Sequence, residues 1–411
     1  MATYNITLDE AMARELFLSS YTKGAMRELL TQVLTQILDA RATDLCGAGP
    51  YEQSDERTDY RNGHRDRSLI TRFGKIVLAV PRLRGQSVLG EGLIESYSRS
   101  EQALMAGIAE MVINGVSTRK VDTVAQALFG TSISKSQVSR VLKTLDPVIE
   151  EFRQRPLCEW YPFFIVDAMY IKVREAGRVV SKALYIAVAI NRSGKREVVG
   201  ITLNDRESKE SYKEFFKGLK ARGLKRIDLA VSDSHEGLVE ALKEEFTGSS
   251  WQRCQTHFTK NMRDKCPKRI WAEAKEMLTG IYTAKNTEEA RRQKDEALSF
   301  LAKEAPKAAE LLDGAFDDIT AVFALPLRYR KKLRTSNMIE RHNEEIRRRE
   351  RPIRIFPSDD SVIRILGTLA MEIHEKWTTQ RLDFSMDEYL EQCLVPVQEA
   401  NKVKECERRA A

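Results

Sequence analysis

Two apolar runs, far apart in the chain, each close on an aspartate: Phe163-Phe164-Ile165-Val166-Asp167 and Ile227-Asp228-Leu229-Ala230-Val231-Ser232-Asp233. Short apolar runs of this kind read as buried strands. A strand that stops at an acid sets a carboxylate at a sheet edge. A third acid, Glu340, stands in Thr335-Ser336-Asn337-Met338-Ile339-Glu340-Arg341, inside a basic helix. Two sheet-edge aspartates and a helix-borne glutamate can hold two Mg²⁺ ions, with Mn²⁺ able to substitute, and that is machinery for cutting and joining phosphodiesters. Asp167 is the candidate bridge between the ions, with Asp233 on one and Glu340 on the other. Alone, either aspartate reads as a turn or helix cap; the three together favour chemistry. Asp205, Glu207 and Asp228 compete for the strand-end roles, and Glu344 is the alternative third ligand.

The stretch between the acids predicts how they meet. Strands are expected at 163–173, 183–191 and 195–204, with Gly194 in the last tight turn. A helix at 208–222 packs Tyr212, Phe215, Phe216 and Leu219, followed by a strand at 227–232, a helix at 236–246 and a short strand near 251–254. Three antiparallel strands, a crossover helix and a parallel strand beside the first give a ribonuclease H-like α/β sheet, with Asp167 and Asp233 side by side. Residues 258–334 predict helices only, at 258–265, 268–282, 287–303 and 306–320, an all-α insertion before further helices at 335–350 and 359–377.

Upstream, the helical spacing of Met26, Leu29, Leu30, Val33, Ile37 and Leu38 predicts a packing or dimerisation helix over 22–45. Residues 57–85 are dense in arginine, including Arg61, Arg65, Arg67 and Arg72, around a strand at Lys75–Pro81. Such a basic β element suits phosphate contact. Thr118–Phe129 predicts one helix, and Ser134-Lys135-Ser136-Gln137 spells the capping box of another, burying Val138, Val141, Leu142 and Leu145. That pair reads as a helix-turn-helix presenting Lys135, Gln137, Arg140 and Lys143 to DNA. In the Glu340 helix, Ile339 and Ile346 share a buried stripe, while Arg341, Arg347 and Arg348 can hold the strand being cut.

The expected organisation is therefore 1–50 helical packing region, 51–100 basic β element, 101–155 helix-turn-helix, 156–257 first part of the ribonuclease H-like domain, 258–334 helical insertion, 335–380 its final helices with Glu340, and 381–411 a tail. At 411 residues, roughly two to four domains are expected. Six scattered cysteines do not make a disulfide framework, and no apolar stretch is long enough to span a bilayer. A cytoplasmic protein with no membrane partner follows. The net charge of +7 is modest, but its clustering points to a polyanionic partner. Cys254-x-x-His257 is a weak zinc half-site even with Cys266 as a third ligand, because no second pair follows at finger spacing. A packed Cys254 with a hydrogen-bonded His257 near the acids is preferred.

These residues resemble the mutator-type bacterial insertion-sequence transposases, related to eukaryotic Mutator elements. The resemblance spans nearly the whole chain. It rests on Tyr60-Arg61-Asn62-Gly63-His64-Arg65 with Thr71-Arg72-Phe73-Gly74, on Val166-Asp167-Ala168 and Val231-Ser232-Asp233, on Trp251-Gln252-Arg253-Cys254-Gln255-Thr256-His257, and on Leu333 to Arg341 with Phe356-Pro357. It implies a DDE-type DNA transposase that binds terminal inverted repeats of double-stranded DNA and cuts and joins strands with Mg²⁺. It carries the triad onto Asp167, Asp233 and Glu340 and the cysteine-histidine signature onto Cys254 and His257. A nucleoid-associated prokaryotic protein acting as a homodimer or larger assembly is expected, since two element ends must be held together. One departure is His235-Glu236 after the second aspartate, where the family more often has small or basic residues. The competing readings are a ribonuclease H-like nuclease or resolvase without strand transfer, and a DNA-binding regulator on an inactive nuclease fold.

Overall fold

Alternation along Gly74–Leu83 makes a strand whose Ile76, Leu78 and Val80 point inward while Lys75 and Val77 face out. The computed structural model describes residues 22–89, 102–129, 132–379 and 384–392. The expected segment before residue 22, the stretch 90–101 and the tail 395–411 lie outside the described residues. The chain divides into two compact units, Met1–Thr144 and Leu145–Ala411.

In the first unit that strand, β2 (Gly74–Leu83), pairs antiparallel with β1 (Arg61–Thr71). Helix α1 (Thr22–Cys46) closes over the hairpin, setting Leu38 and Ala42 against Leu69, Ile76, Leu78 and Val80. The register slips between Arg61 and His64, beside Pro81, which has no N–H to give the ladder. Three helices follow, α2 (Gln102–Ile113), α3 (Thr118–Phe129) and α4 (Lys135–Lys143). The expected capping box forms: Ser134 Oγ accepts the Gln137 N–H and Gln137 Oε1 accepts the Ser134 N–H. Val138, Val141 and Leu142 are buried as expected. Leu145 does not continue that stripe. The helix stops at Thr144, and Leu145 caps α5 (Asp146–Gln154), where proline in the first turn starts a new helix.

The second unit is built on a five-stranded sheet in the order β5-β4-β3-β6-β7, here β3 (Trp160–Glu175), β4 (Arg178–Ile190), β5 (Arg196–Asn204), β6 (Arg226–Ser232) and β7 (Ser250–Arg253). The first three are antiparallel; β6 runs parallel to β3 and β7 parallel to β6. α6 (Lys209–Ala221) and α7 (Glu236–Glu245) cover one face, burying Phe164 and Val166 under Tyr212, Phe216, Leu238 and Phe246. Phe163 points the other way, into the rings of Tyr329, Phe384 and Tyr389 at 4.9–5.8 Å. Helices α8 (Gln255–Lys265), α9 (Trp271–Thr283), α10 (Thr287–Glu304) and α11 (Pro306–Thr320) enclose a core of their own from Phe258 to Phe323. Helices thus fill the region where helices alone were expected, with no strand among its described residues. Gln252 ties it to the sheet: its amide donates to the Ile319 carbonyl at 3.0 Å and accepts the Val322 N–H at 2.8 Å.

After α12 (Leu327–Leu333), helices α13 (Asn337–Ile353) and α14 (Asp359–Thr379) return to the sheet. α14 lies on β5 and α5. Buried Arg364 grips Asp146 with two bonds of 2.5 and 2.7 Å, joining α14 to α5. Arg364→Leu is expected to lower stability by about 2 kcal/mol, less than the roughly 3–5 kcal/mol for a fully buried pair, because the half-exposed Asp146 can rehydrate. Urea unfolding of the purified variant reads this directly.

Candidate active site

Asp167 lies inside its strand, in keeping with the strand expected over 163–173 and against its reading as an acid that stops the strand. β3 runs on to Glu175, carried by antiparallel pairing with β4. What stops is its parallel neighbour: β6 leaves the sheet after Ser232. The β3–β6 register pairs Phe163 with Leu229 and Ile165 with Val231. Continued by two residues, that register sets Asp233 opposite Asp167. The two acids thus meet where the sheet splits, with Asp167 on a central strand and Asp233 on the loop entering α7.

The electrostatics report the meeting. Burial pushes the Asp167 carboxyl up to about 6; the charge of His257 and the Asn343 hydrogen bond oppose this, while the neighbouring Asp233 adds to it. Asp233 makes one local bond, Oδ1 accepting the His235 N–H at 3.1 Å. That is the turn role open to any such aspartate, and it leaves the other oxygen for a ligand.

α13 is docked at three points. At its start the Ser336 N–H donates to Cys254 Sγ at 3.3 Å, and the Gln255 N–H donates to the Arg334 carbonyl at 3.0 Å. In its middle Asn343 Nδ2 donates to Asp167 Oδ2 at 2.6 Å. Beyond its end the Phe356 N–H donates to the Lys172 carbonyl, and the Arg174 N–H donates to the Phe356 carbonyl, both at 2.9 Å. The helix therefore lies against β3 from Asp167 onward. Ile339 and Ile346 are fully buried, as their spacing predicted. Glu340 is half-buried, one turn before Asn343. Among the described residues no three His, Cys, Asp or Glu side chains stand close enough together to hold a metal ion. The residue of α13 that reaches the aspartates is Asn343; Glu340 precedes it by three positions and forms no such group with them among the described residues.

Cys254 and His257 sit at the same junction. Burial pushes the Cys254 thiol up, but its contacts with His257 and Ser336 outweigh this and leave it below the ordinary thiol range. The Cys254 contact, foremost, and the charges of Asp167 and Asp233 hold the His257 imidazole above its usual value against the pull of burial. Cys254 is packed and engaged with Ser336, while Cys266 belongs to the core enclosed by α8–α11.

The competing acids have other partners. Asp228 accepts bonds from Trp160 Nε1, Arg226 Nε and Tyr389 Oη at 2.7–2.9 Å. Glu207 accepts the Tyr212 hydroxyl at 3.0 Å. Asp205 pairs with buried Lys182 at 3.0 Å, which also holds Glu175 and Asp359. Glu344 is exposed on α13.

A hard divalent cation fits the Asp167–Asp233 pair. The donors are carboxylate oxygens, the carboxyl of Asp167 is under-neutralised, and Asn343 Oδ1 and His257 Nδ1 are buried beside it without hydrogen-bond partners.

Among the candidate DNA contacts, Arg65 and Arg72 are exposed on the hairpin, and Lys135, Arg140 and Lys143 are exposed on α4. Arg67 is half-buried. Arg61 is engaged internally, donating to the Ala48 carbonyl at 3.1 Å and to Thr43 Oγ1 at 2.7 Å. Gln137 is held by its capping box. Arg347 and Arg348 pair on the helix surface with Glu350 at 3.7 Å and Glu345 at 2.9 Å. The side chain of Arg341 lies outside the described residues.

The profile of a family described as "Transposase, Mutator family" matches residues 1–380. The transposase for insertion sequence element ISRM5 of Rhizobium meliloti is 38% identical over 381 residues, covering 93% of this chain and 95% of that protein. The transposase for IS256 in transposon Tn4001 of Staphylococcus aureus is 37% identical over 380 residues, covering 92% and 97%. The transposase for IS1081 of Mycobacterium tuberculosis is 39% identical over 365 residues, covering 89% and 88%. A Drosophila P element transposase strand transfer complex is 12% identical, covering 68% of this chain and 81% of that one at a TM-score of 0.30, too slight a likeness to bear on the fold.

Proposed function

The chain belongs to the Mutator family of transposases, and from that premise we propose that it is the DNA transposase of an insertion sequence, binding terminal inverted repeats and catalysing Mg²⁺-dependent strand cleavage and strand transfer. The observation that supports this reading is the β3–β6 register, which pairs Ile165 with Val231, two residues before Asp167 and Asp233 respectively. We read the sheet, three antiparallel strands and a crossover to a parallel strand beside the first, as ribonuclease H-like, with α8–α11 as its insertion.

In this reading Asp167 would be the ligand common to two Mg²⁺ ions, with Asp233 on one and Glu340 on the other; bound there, the ions would supply activation of the attacking oxygen and stabilisation of the leaving one. The protein's part is placement. The β-sheet fixes the two aspartates, and α13, anchored at Cys254 and again at Lys172, would bring Glu340 to their flank. Arg347 and Arg348, with Arg341, hold the strand near the acids by exchanging surface glutamates for phosphates. In the first unit, α3 and α4 act as a helix-turn-helix whose Lys135, Arg140 and Lys143 meet the element end, while Arg65, Arg67 and Arg72 of the hairpin grip its backbone. Two element ends require at least a homodimer, acting in the cytoplasm on the nucleoid.

The test pairs labelled element-end DNA with an unlabelled target, Mg²⁺ and the full chain. Cleaved ends joined to target DNA are expected. Cleavage that never leads to joining would instead identify a nuclease or resolvase. Binding without cleavage would identify a regulator.

A further inference from the structure

The inward face of α13 mixes its isoleucines with polar residues: His342 and Arg349 are buried and Asn343 is half-buried. Ile339 and Ile346 are fully buried, and Asn343 stands between them, four residues after the first and three before the second. Leucine at that step would continue the stripe. The asparagine instead donates Nδ2–H to Asp167 Oδ2 at 2.6 Å, and its own Oδ1 is buried with no hydrogen-bond partner in the structure. A short donor bond to the central acid and an orphaned carbonyl oxygen beside it come from one side chain. Nothing in the sequence pattern of strands and acids pointed to it.

Resting on the proposed function, we infer that Asn343 is a positioning residue of this site: it fixes which Asp167 oxygen is left for the metal, and it sets the depth of the helix that carries Glu340. The chemistry of the side chain suits the task. A lysine or arginine here would orient Asp167 equally well but would neutralise it and compete with the cation. A neutral amide orients the carboxylate and leaves its charge for the metal. The same bond links α13 to β3, so Glu340, one turn earlier, is held at a fixed distance from the sheet. The orphaned Oδ1 leaves an unused acceptor on the side chain that bonds Asp167; its natural partner is a cation or the water a cation carries.

The experiment measures Mn²⁺ binding to the full-length protein without DNA, by electron paramagnetic resonance, alongside thermal melting. Asn343→Leu removes the amide at similar volume; Asn343→Ala removes it without any chance of overfilling the site. Asp167→Asn is the reference. Both Asn343 variants are expected to weaken Mn²⁺ binding about tenfold or more, the usual effect of losing a partner that orients a metal ligand. Their melting temperature should be unchanged, and in the cleavage assay kcat should fall while affinity for end DNA stays the same. Unchanged Mn²⁺ affinity in both variants, with binding lost in Asp167→Asn, would overturn the role of Asn343 and leave the acid site standing. A loss of binding only in step with a lowered melting temperature would overturn it too, making Asn343 part of the packing. Mn²⁺ binding undisturbed by Asp167→Asn would defeat the underlying assignment of the acids, a separate and recognisable failure.

Discussion

Asp167→Asn is expected to abolish Mg²⁺-dependent cleavage of element ends while leaving the DNA bound. Asparagine keeps the size of the side chain, so β3 and its pairing with β4 should persist. What goes is the negative oxygen that the proposed site would offer to the ions. Metal-ion catalysis contributes several kcal/mol to the transition state, so the loss is roughly a thousandfold or more in rate. Glu340→Gln should behave in the same way if the helix delivers its carboxylate to the pair. End-DNA affinity, read by fluorescence anisotropy, should hold or rise slightly, since an acid near the phosphates has been neutralised. Asp228→Asn is the contrast. That acid is tied to Trp160, Arg226 and Tyr389, away from Asp167, and its loss should cost stability rather than chemistry. A marked element mobilised at normal frequency by the Asp167→Asn protein would remove Asp167 from the site.

The strands were legible because their apolar runs are long and their turns carry glycine or a change of pattern. Gly194, for example, closes the β4–β5 turn at φ 80°. Helix ends were legible where a side chain caps them, as at Ser134. β3 was legible past Asp167, over 163–173, and pairing with β4 carries it on to Glu175. Two things were not legible. The break at Thr144 was hidden because Leu145 fits the helical stripe of α4 and only the proline after Asp146 marks a new start. Asn343 was hidden for a different reason. Its meaning lies in what stands opposite it, 176 positions away in the chain, and no local periodicity encodes that. Arg61 shows the converse. It belongs to an arginine-dense segment that invites a phosphate reading, yet the fold ties it to α1.

Binding of element-end DNA should weaken steeply with salt. Each phosphate neutralised by a side chain releases counterions, at about 0.9 log units of affinity per tenfold change in salt. Arg65, Arg72, Lys135, Arg140 and Lys143 are all exposed in the first unit. If each meets one phosphate, the slope is about −4.5, and affinity falls roughly 500-fold between about 50 and 200 mM salt. Added contacts from Arg347 and Arg348 would steepen it further. Individual substitutions then sort the arginines by what the structure gives them to do. Arg140→Ala should lower the slope by about one and weaken all sequences alike, the behaviour of a phosphate contact. Arg61→Ala should leave the slope unchanged and instead loosen the hairpin from α1, because its guanidinium is already engaged by Ala48 and Thr43. A titration that stays flat over this range would mean that the clustered cations of the first unit face solvent rather than DNA. Element-end recognition would then have to be carried by groups other than those the hairpin and α4 present.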